Sequence, residues 1–191
     1  MVRSIEETKR LILDAATTEF AARGLSGARV DRIVELSGIN KRMIYVYFEN
    51  KENLFDCVLA ESLSRLVDAA PFSGRGLDKY AGDLFDFISE DPTVARLSLW
   101  RALERPQPVQ MEEDSYAQKL ELINEARGSN ADSAVGDGLE AAEILAYILA
   151  LSQSWLLAAP TLAGFLSQGS DRAARRRHIE LAVRRFLGDV R

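Results

Sequence analysis

The chain has one cysteine and one histidine among its 191 residues. Cys57 has no partner for an internal disulfide, and His178, beside Arg175, Arg176 and Arg177, has no companion ligand at metal-binding spacing. Both read as structural. Phosphate-cradling glycine loops and nucleophile elbows are missing as well, so neither an enzyme nor a cofactor or metal site is expected. No run comes near the roughly 18 apolar residues that a membrane span needs. The opening MVRSIEETKR has no apolar signal core, so a cytoplasmic protein without a membrane partner is expected.

A surplus of positive charge is also absent, the formal net charge being −5. The balance is uneven along the chain. Residues 1–51 carry nine Lys/Arg against seven Asp/Glu, net +2, and residues 52–191 carry fifteen against twenty-two, net −7. Phosphate contact needs positive charge only where the backbone passes, and an acidic remainder weakens non-specific adhesion to nucleic acid. The two-residue alternation of a strand is almost absent too. Helical periodicity recurs throughout, which predicts an all-α protein of about nine helices.

The clearest pattern lies near the N-terminus. Ser4 with Glu7 has the form of a capping box, and Ile12, Ala15, Ala16 and Phe20 follow at helical spacing until Gly24 supplies a stop. Val30, Ile33, Val34 and Ser37 make the inward side of a second helix, which ends at Gly38, a residue suited to the left-handed conformation of a tight turn. Asn40 is placed to cap a third helix in which Ile44 and Phe48 face inward, and Asn50 to cap a fourth. Two short helices joined by so brief a turn form a helix-turn-helix, in which one helix braces against DNA and the next lies in the major groove.

Over residues 8–54 the ordered set Ile12, Ala15, Ala16, Phe20, Gly24, Val30, Ile33, Gly38, Tyr45, Tyr47, Phe48, Lys51 and Leu54 resembles the TetR-type transcriptional regulators. The resemblance implies a three-helix DNA-binding domain at 1–51, a long linking fourth helix, and an all-α domain at 52–191 that binds a small-molecule effector. It also implies a homodimer on a double-stranded DNA operator. The mechanism it implies is a population shift, in which effector favours a dimer whose recognition helices no longer match the half-sites. A repressor released by its effector is the favoured reading. A dimeric DNA-binding regulator without an effector is the alternative, and an enzyme in the C-terminal domain is a distant third. The chain departs from the family's usual residues at Ala28, Val34, Asn40, Arg42 and Met43, so its recognition helix is bulkier.

Asn40, Lys41, Arg42, Met43, Tyr45, Val46, Tyr47 and Lys51 are the candidate DNA contacts. Arg42 stands where the family has a glycine, and is expected either to read a guanine through a bidentate contact or to lie along the phosphates. Tyr45 and Tyr47 are set to reach phosphates or sugars, and Lys51 to clamp a phosphate at the start of the fourth helix. The alternative makes the tyrosines core aromatics with wet hydroxyls and Lys51 a solvated charge. Asn40 is expected to cap more than to contact a base.

Beyond Lys51 the pattern is generic. Leu54, Phe55, Val58, Leu59, Leu63, Leu66 and Val67 continue an apolar stripe, and further helices are expected at 77–90, 93–104 and 115–126. Pro106 and Pro108 mark a break, and a polar loop is expected at 128–138. Segment 139–159 is apolar on nearly every side, and 172–187 carries Ile179, Ala182, Val183 and Phe186 on one side. Leu149, Trp155, Ile179, Val183 and Phe186 are the candidate dimer contacts, the alternative being burial within one subunit. Two recognition helices must meet major grooves about 34–36 Å apart, which implies a palindromic operator. Phe85, Trp100, Tyr116 and Tyr147 are candidates for an aromatic ligand cavity with Arg101 or Glu104 as polar anchor, the alternative being ordinary core.

Overall fold

A computed structural model describes residues 4–73, 76–107, 110–128, 139–167 and 171–187. Ten helices fill them: α1 (Ile5–Gly27), α2 (Val30–Ser37), α3 (Lys41–Phe48), α4 (Lys51–Ala69), α5 (Leu77–Glu90), α6 (Thr93–Glu104), α7 (Gln110–Gly128), α8 (Ala141–Leu157), α9 (Pro160–Ser167) and α10 (Arg172–Phe186). The described residues contain no strand, so the protein is all-α. Ten accords with the expected number of about nine, and the sequence pattern gives no sign of α9. Its eight residues are too few to establish a period, and Pro160 occupies the first helical position, where a missing N–H is tolerated. Pro108 and positions 129–138 of the expected polar loop lie outside the described residues.

The chain forms two compact units, Met1–Leu66 with Pro92–Gln107, and Val67–Asp91 with Pro108–Arg191. In the first, the side chains of Ile12, Ala16, Phe20, Ile33, Leu54, Phe55, Val58 and Leu97 are fully buried in one cluster. Phe20 and Phe55 meet edge to face with ring centroids 5.1 Å apart. Each large apolar side chain so buried contributes roughly 1.5–3 kcal/mol. The Ser4 hydroxyl caps α1 by accepting from Glu7 N at 3.0 Å. Gly24 does not end α1 outright. It bends the helix at φ 69° and ψ −179°, and one further turn follows to Gly27.

In the second unit α5 packs against α8 and α10. It buries Leu77, Tyr80, Ala81, Leu84, Phe85 and Ile88, while α8 buries Ala141, Ile144, Leu145, Ile148 and Ser152. The Ser152 hydroxyl is shared between the carbonyls of Ala81 at 3.0 Å and Ile148 at 2.8 Å, so this buried polar group is satisfied. α10 runs antiparallel to α5 and meets it through ion pairs. Arg172 reaches Asp86 and Glu90, Arg176 reaches Asp83, Asp86 and Glu180, and Arg184 reaches Asp78. Gly82 makes room for this row, since a Cβ there would stand 2.7 Å from Glu180 Oε1.

Burial disfavours the Arg176 charge, but the hydrogen bonds it donates to Asp83 and Asp86 outweigh that and hold the guanidinium pKa above its usual range. Arg176→Met is expected to destabilise the protein by about 1 kcal/mol at low ionic strength and by less as salt rises, measured by urea unfolding at several salt concentrations. Burial, with a smaller contribution from Tyr116, pushes the Tyr80 phenol up to about 12. The unfolded chain releases that proton near pH 10, so the stabilisation is intact below about pH 10 and is lost as pH climbs through 12. Between about pH 9 and 11.5 the wild type should lose roughly 2 kcal/mol more stability than Tyr80→Phe. Equal alkaline losses in the two proteins would contradict this.

Candidate nucleic-acid interface

The turn between α2 and α3 is built from local hydrogen bonds. Gly38 takes the left-handed conformation at φ 66° and ψ 16°, its N–H donating to Val34 O at 2.9 Å. The Ser37 hydroxyl lies 2.6 Å from Ile33 O and accepts from Ile39 N at 3.2 Å. Asn40 caps α3, its side chain accepting from Met43 N at 3.0 Å. At the far end Glu49 adopts φ 64° and ψ −51°, and Asn50 N donates to Phe48 O at 2.7 Å, which makes a γ-turn that few non-glycine residues adopt. Asn50 then caps α4 by accepting from Asn53 N at 2.7 Å. α3 is thus anchored at both termini.

Its faces are distinct. Ile44 and Phe48 are buried, whereas Lys41, Arg42, Tyr45 at 43% and Val46 at 61% exposure form an open strip. Met43 and Tyr47 are half-buried against the core cluster. The Tyr47 ring meets Phe48 edge-on at 6.5 Å and lies 5.9 Å from Lys9 Nζ. Lys41 pairs with Asp31 of α2 at 2.8 Å, and that hydrogen bond, with Asp31's charge, raises the ammonium pKa. Lys51 is half-buried and donates to Ala28 O at 3.3 Å, which leaves two of its protons for other acceptors.

Sequence reasoning missed Glu19. Only 5% exposed, it accepts from Arg29 N at 3.0 Å and faces Arg32 at 3.5 Å and Arg23 at 3.7 Å. A signal existed, because position 19 lies on the buried stripe that runs through Ala15, Ala16 and Phe20. A carboxylate on that stripe has to find partners.

The ligand candidates are not gathered within one unit. Trp100 and Arg101 belong to the first, where the Trp100 indole donates to Ala21 O at 3.3 Å and Arg101, buried, donates to Gln107 O. Phe85, Tyr116 and Tyr147 belong to the second. Phe85 is buried core there, while Tyr116 and Tyr147 are exposed. Among the dimer candidates, Ile179 and Val183 turn inward and are covered by their own chain, because the row of ion pairs fixes which side of α10 faces α5. Leu149 and Trp155 are half-buried, and Phe186, edge-on to Tyr147 at 4.7 Å, is exposed. No helix among the described residues is long and apolar enough to cross a membrane.

Residues 12–58 match the family described as bacterial regulatory proteins, tetR family, and residues 76–185 match the tetracyclin repressor-like C-terminal domain. The chain is 30% identical over 192 residues to the HTH-type transcriptional repressor SCO4008 of Streptomyces coelicolor, with 97% of each chain covered. The crystal structure of SCO4942 from Streptomyces coelicolor, described as a transcriptional regulator, is 30% identical. It superposes with a TM-score of 0.81 over 95% of this chain and 98% of that one. The regulator FadR of Bacillus subtilis, solved with stearoyl-CoA, shares the fold at 18% identity and a TM-score of 0.65, over 95% of this chain and 99% of its own. With both matched segments, a helix-turn-helix capped at each end and a relative similar along its whole length, the chain belongs to the TetR family of transcriptional regulators.

Proposed function

We propose that the protein is a cytoplasmic repressor that binds a palindromic operator as a homodimer and leaves it when a small-molecule effector binds. The observation that carries this reading is the open strip Lys41, Arg42, Tyr45 and Val46 on a helix anchored at both ends. Such a strip offers a charged fork, a phenol and an apolar contact to the edges of a duplex groove at little ordering cost. DNA contact is assigned to residues 1–51, with effector binding and dimerisation in 52–191 and no catalytic role. Repression accords with the name of the Streptomyces relative. Effector binding accords with a fold neighbour that holds stearoyl-CoA, and Phe85, Tyr116 and Tyr147 remain the candidates in the second unit.

Dimerisation accords with the apolar surface of α8, α9 and α10. Tyr147, Leu157, Leu162, Phe165 at 69% exposure, Leu181 and Phe186 all face solvent in the single chain. So many large apolar groups on one small unit call for cover, and a second copy supplies it symmetrically. Leu149, Trp155 and Phe186 stay among the proposed contacts, whereas Ile179 and Val183 support the interface from behind.

Selection from a random duplex library tests the DNA reading, and enrichment of an inverted repeat is the expected result. On that duplex Arg42→Ala should abolish a preference of about 1–3 kcal/mol for guanine at one position in each half-site. An equal loss at every base variant would place Arg42 on phosphate instead. Phe165→Glu should shift the protein toward monomer in sedimentation and weaken operator binding together. A dimer unaffected by Phe165→Glu would remove α9 from the interface. Titration of the bound complex with metabolite fractions should then release DNA, and release by none would favour a regulator without effector.

A further inference from the structure

In an unbroken helix Leu25 N would donate to Ala21 O, four residues back. Gly24 turns the chain away, and side chains of α6 take over both halves of that lost bond. On the acceptor side, Ala21 O receives Arg96 Nε at 2.9 Å and the Trp100 indole N–H at 3.3 Å. On the donor side, Leu25 N reaches Glu104 Oε2 at 2.6 Å, and Ser26 N reaches the same oxygen at 3.1 Å and Oε1 at 3.3 Å. Arg96, Trp100 and Glu104 recur every fourth residue and so share one face of α6. The approach is close enough to require glycine. A Cβ at Gly24 would stand 2.8 Å from both the Trp100 ring and Glu104 Oε1, at a φ of +69° that side chains rarely adopt.

We propose that Glu104 is a positioning residue for DNA recognition: its carboxylate fixes the direction in which the chain leaves α1 for α2, and through α2 the placement of α3. The proposal rests on the DNA-binding reading above. Only three residues separate Ser26 from Val30, the first residue of α2. Those residues are already tied by Glu19 at Arg29 N and by Lys51 at Ala28 O. Glu104 ties this segment to a helix from beyond residue 66, and it makes α6 part of the reading head although α6 contributes nothing to the exposed strip. Bonds from backbone amides to an ionised carboxylate are the strong kind, and they direct the chain where a neutral contact would let it swing.

The test uses the full-length protein and the duplex that the wild type enriches from a random library. Glu104→Ala is expected to weaken binding to it about tenfold or more, with helical content unchanged by circular dichroism. Glu104→Gln keeps one acceptor oxygen and should recover part of that loss, to within about threefold of wild type. Backbone amide spectra recorded without DNA provide a second readout, in which Glu104→Ala should shift Leu25 and Ser26 and also the amides of Lys41 to Tyr47. Binding within twofold of wild type, or shifts confined to residues 24–28, would overturn the proposal. Should Glu104→Ala unfold, Glu104→Gln carries the spectral measurement, and shifts confined to residues 24–28 in that variant would overturn the proposal. If the wild type enriches no duplex, the DNA-binding reading itself fails, and the spectra alone decide whether Glu104 governs the placement of α3.

Discussion

A recognition helix of eight residues cannot hold its own orientation, so everything depends on how the chain is steered into it between Gly24 and Arg29. In that short segment the backbone leaves one helix and enters the next: Ala28 N still reaches Gly24 O at 3.2 Å and Arg29 O receives Ile33 N at 3.3 Å, but the amides of Leu25, Ser26 and Arg29 and the carbonyl of Ala28 turn to side chains. Side chains from α1, α4 and α6 fill the gap: Glu19 on Arg29 N, Lys51 on Ala28 O and Glu104 on the amides of Leu25 and Ser26. Each bond is charge-assisted. Beneath them the Phe20–Phe55 contact and the packing of Ile33 and Leu54 give those charges a fixed platform.

The distribution of charge follows the same logic. A basic run on α10 suggests a nucleic-acid surface at first glance, but Arg172, Arg176 and Arg184 are engaged with Asp78, Asp83, Asp86 and Glu90 of α5. They serve to dock one helix on another. On α3 itself Arg42 is exposed and Lys41 shares its charge with Asp31. An acidic C-terminal part and a locally basic N-terminal part therefore fit one molecule that meets DNA through a small, oriented face.

The helix-turn-helix was legible because each of its residues has a local physical task. Gly38 supplies the left-handed turn, Asn40 and Asn50 supply caps, and Ile44 and Phe48 supply the buried face, all within a few positions of one another. Helices α5 and α6 were legible to the residue for a similar reason, a sustained period bounded by glycine and proline. Long-range pairings were not. Nothing local ties Glu104 to Leu25 across 79 positions, or Arg176 to Asp86 across 90. The inward turn of Ile179 and Val183 follows from that second pairing, so periodicity alone left open whether they faced a partner or their own chain. Tyr47 and Lys51 were ambiguous because an amphipathic side chain can brace the core and still present a polar tip.

The central claim is that α3 is held as a rigid probe and offered twice by a symmetric pair. Hydroxyl-radical footprinting of the wild type on its selected duplex tests this most directly. The account predicts two short protected stretches on one face of the DNA, centred about 34–36 Å apart or a multiple of that. Protection of a single stretch, or a uniform pattern along the duplex, would contradict it.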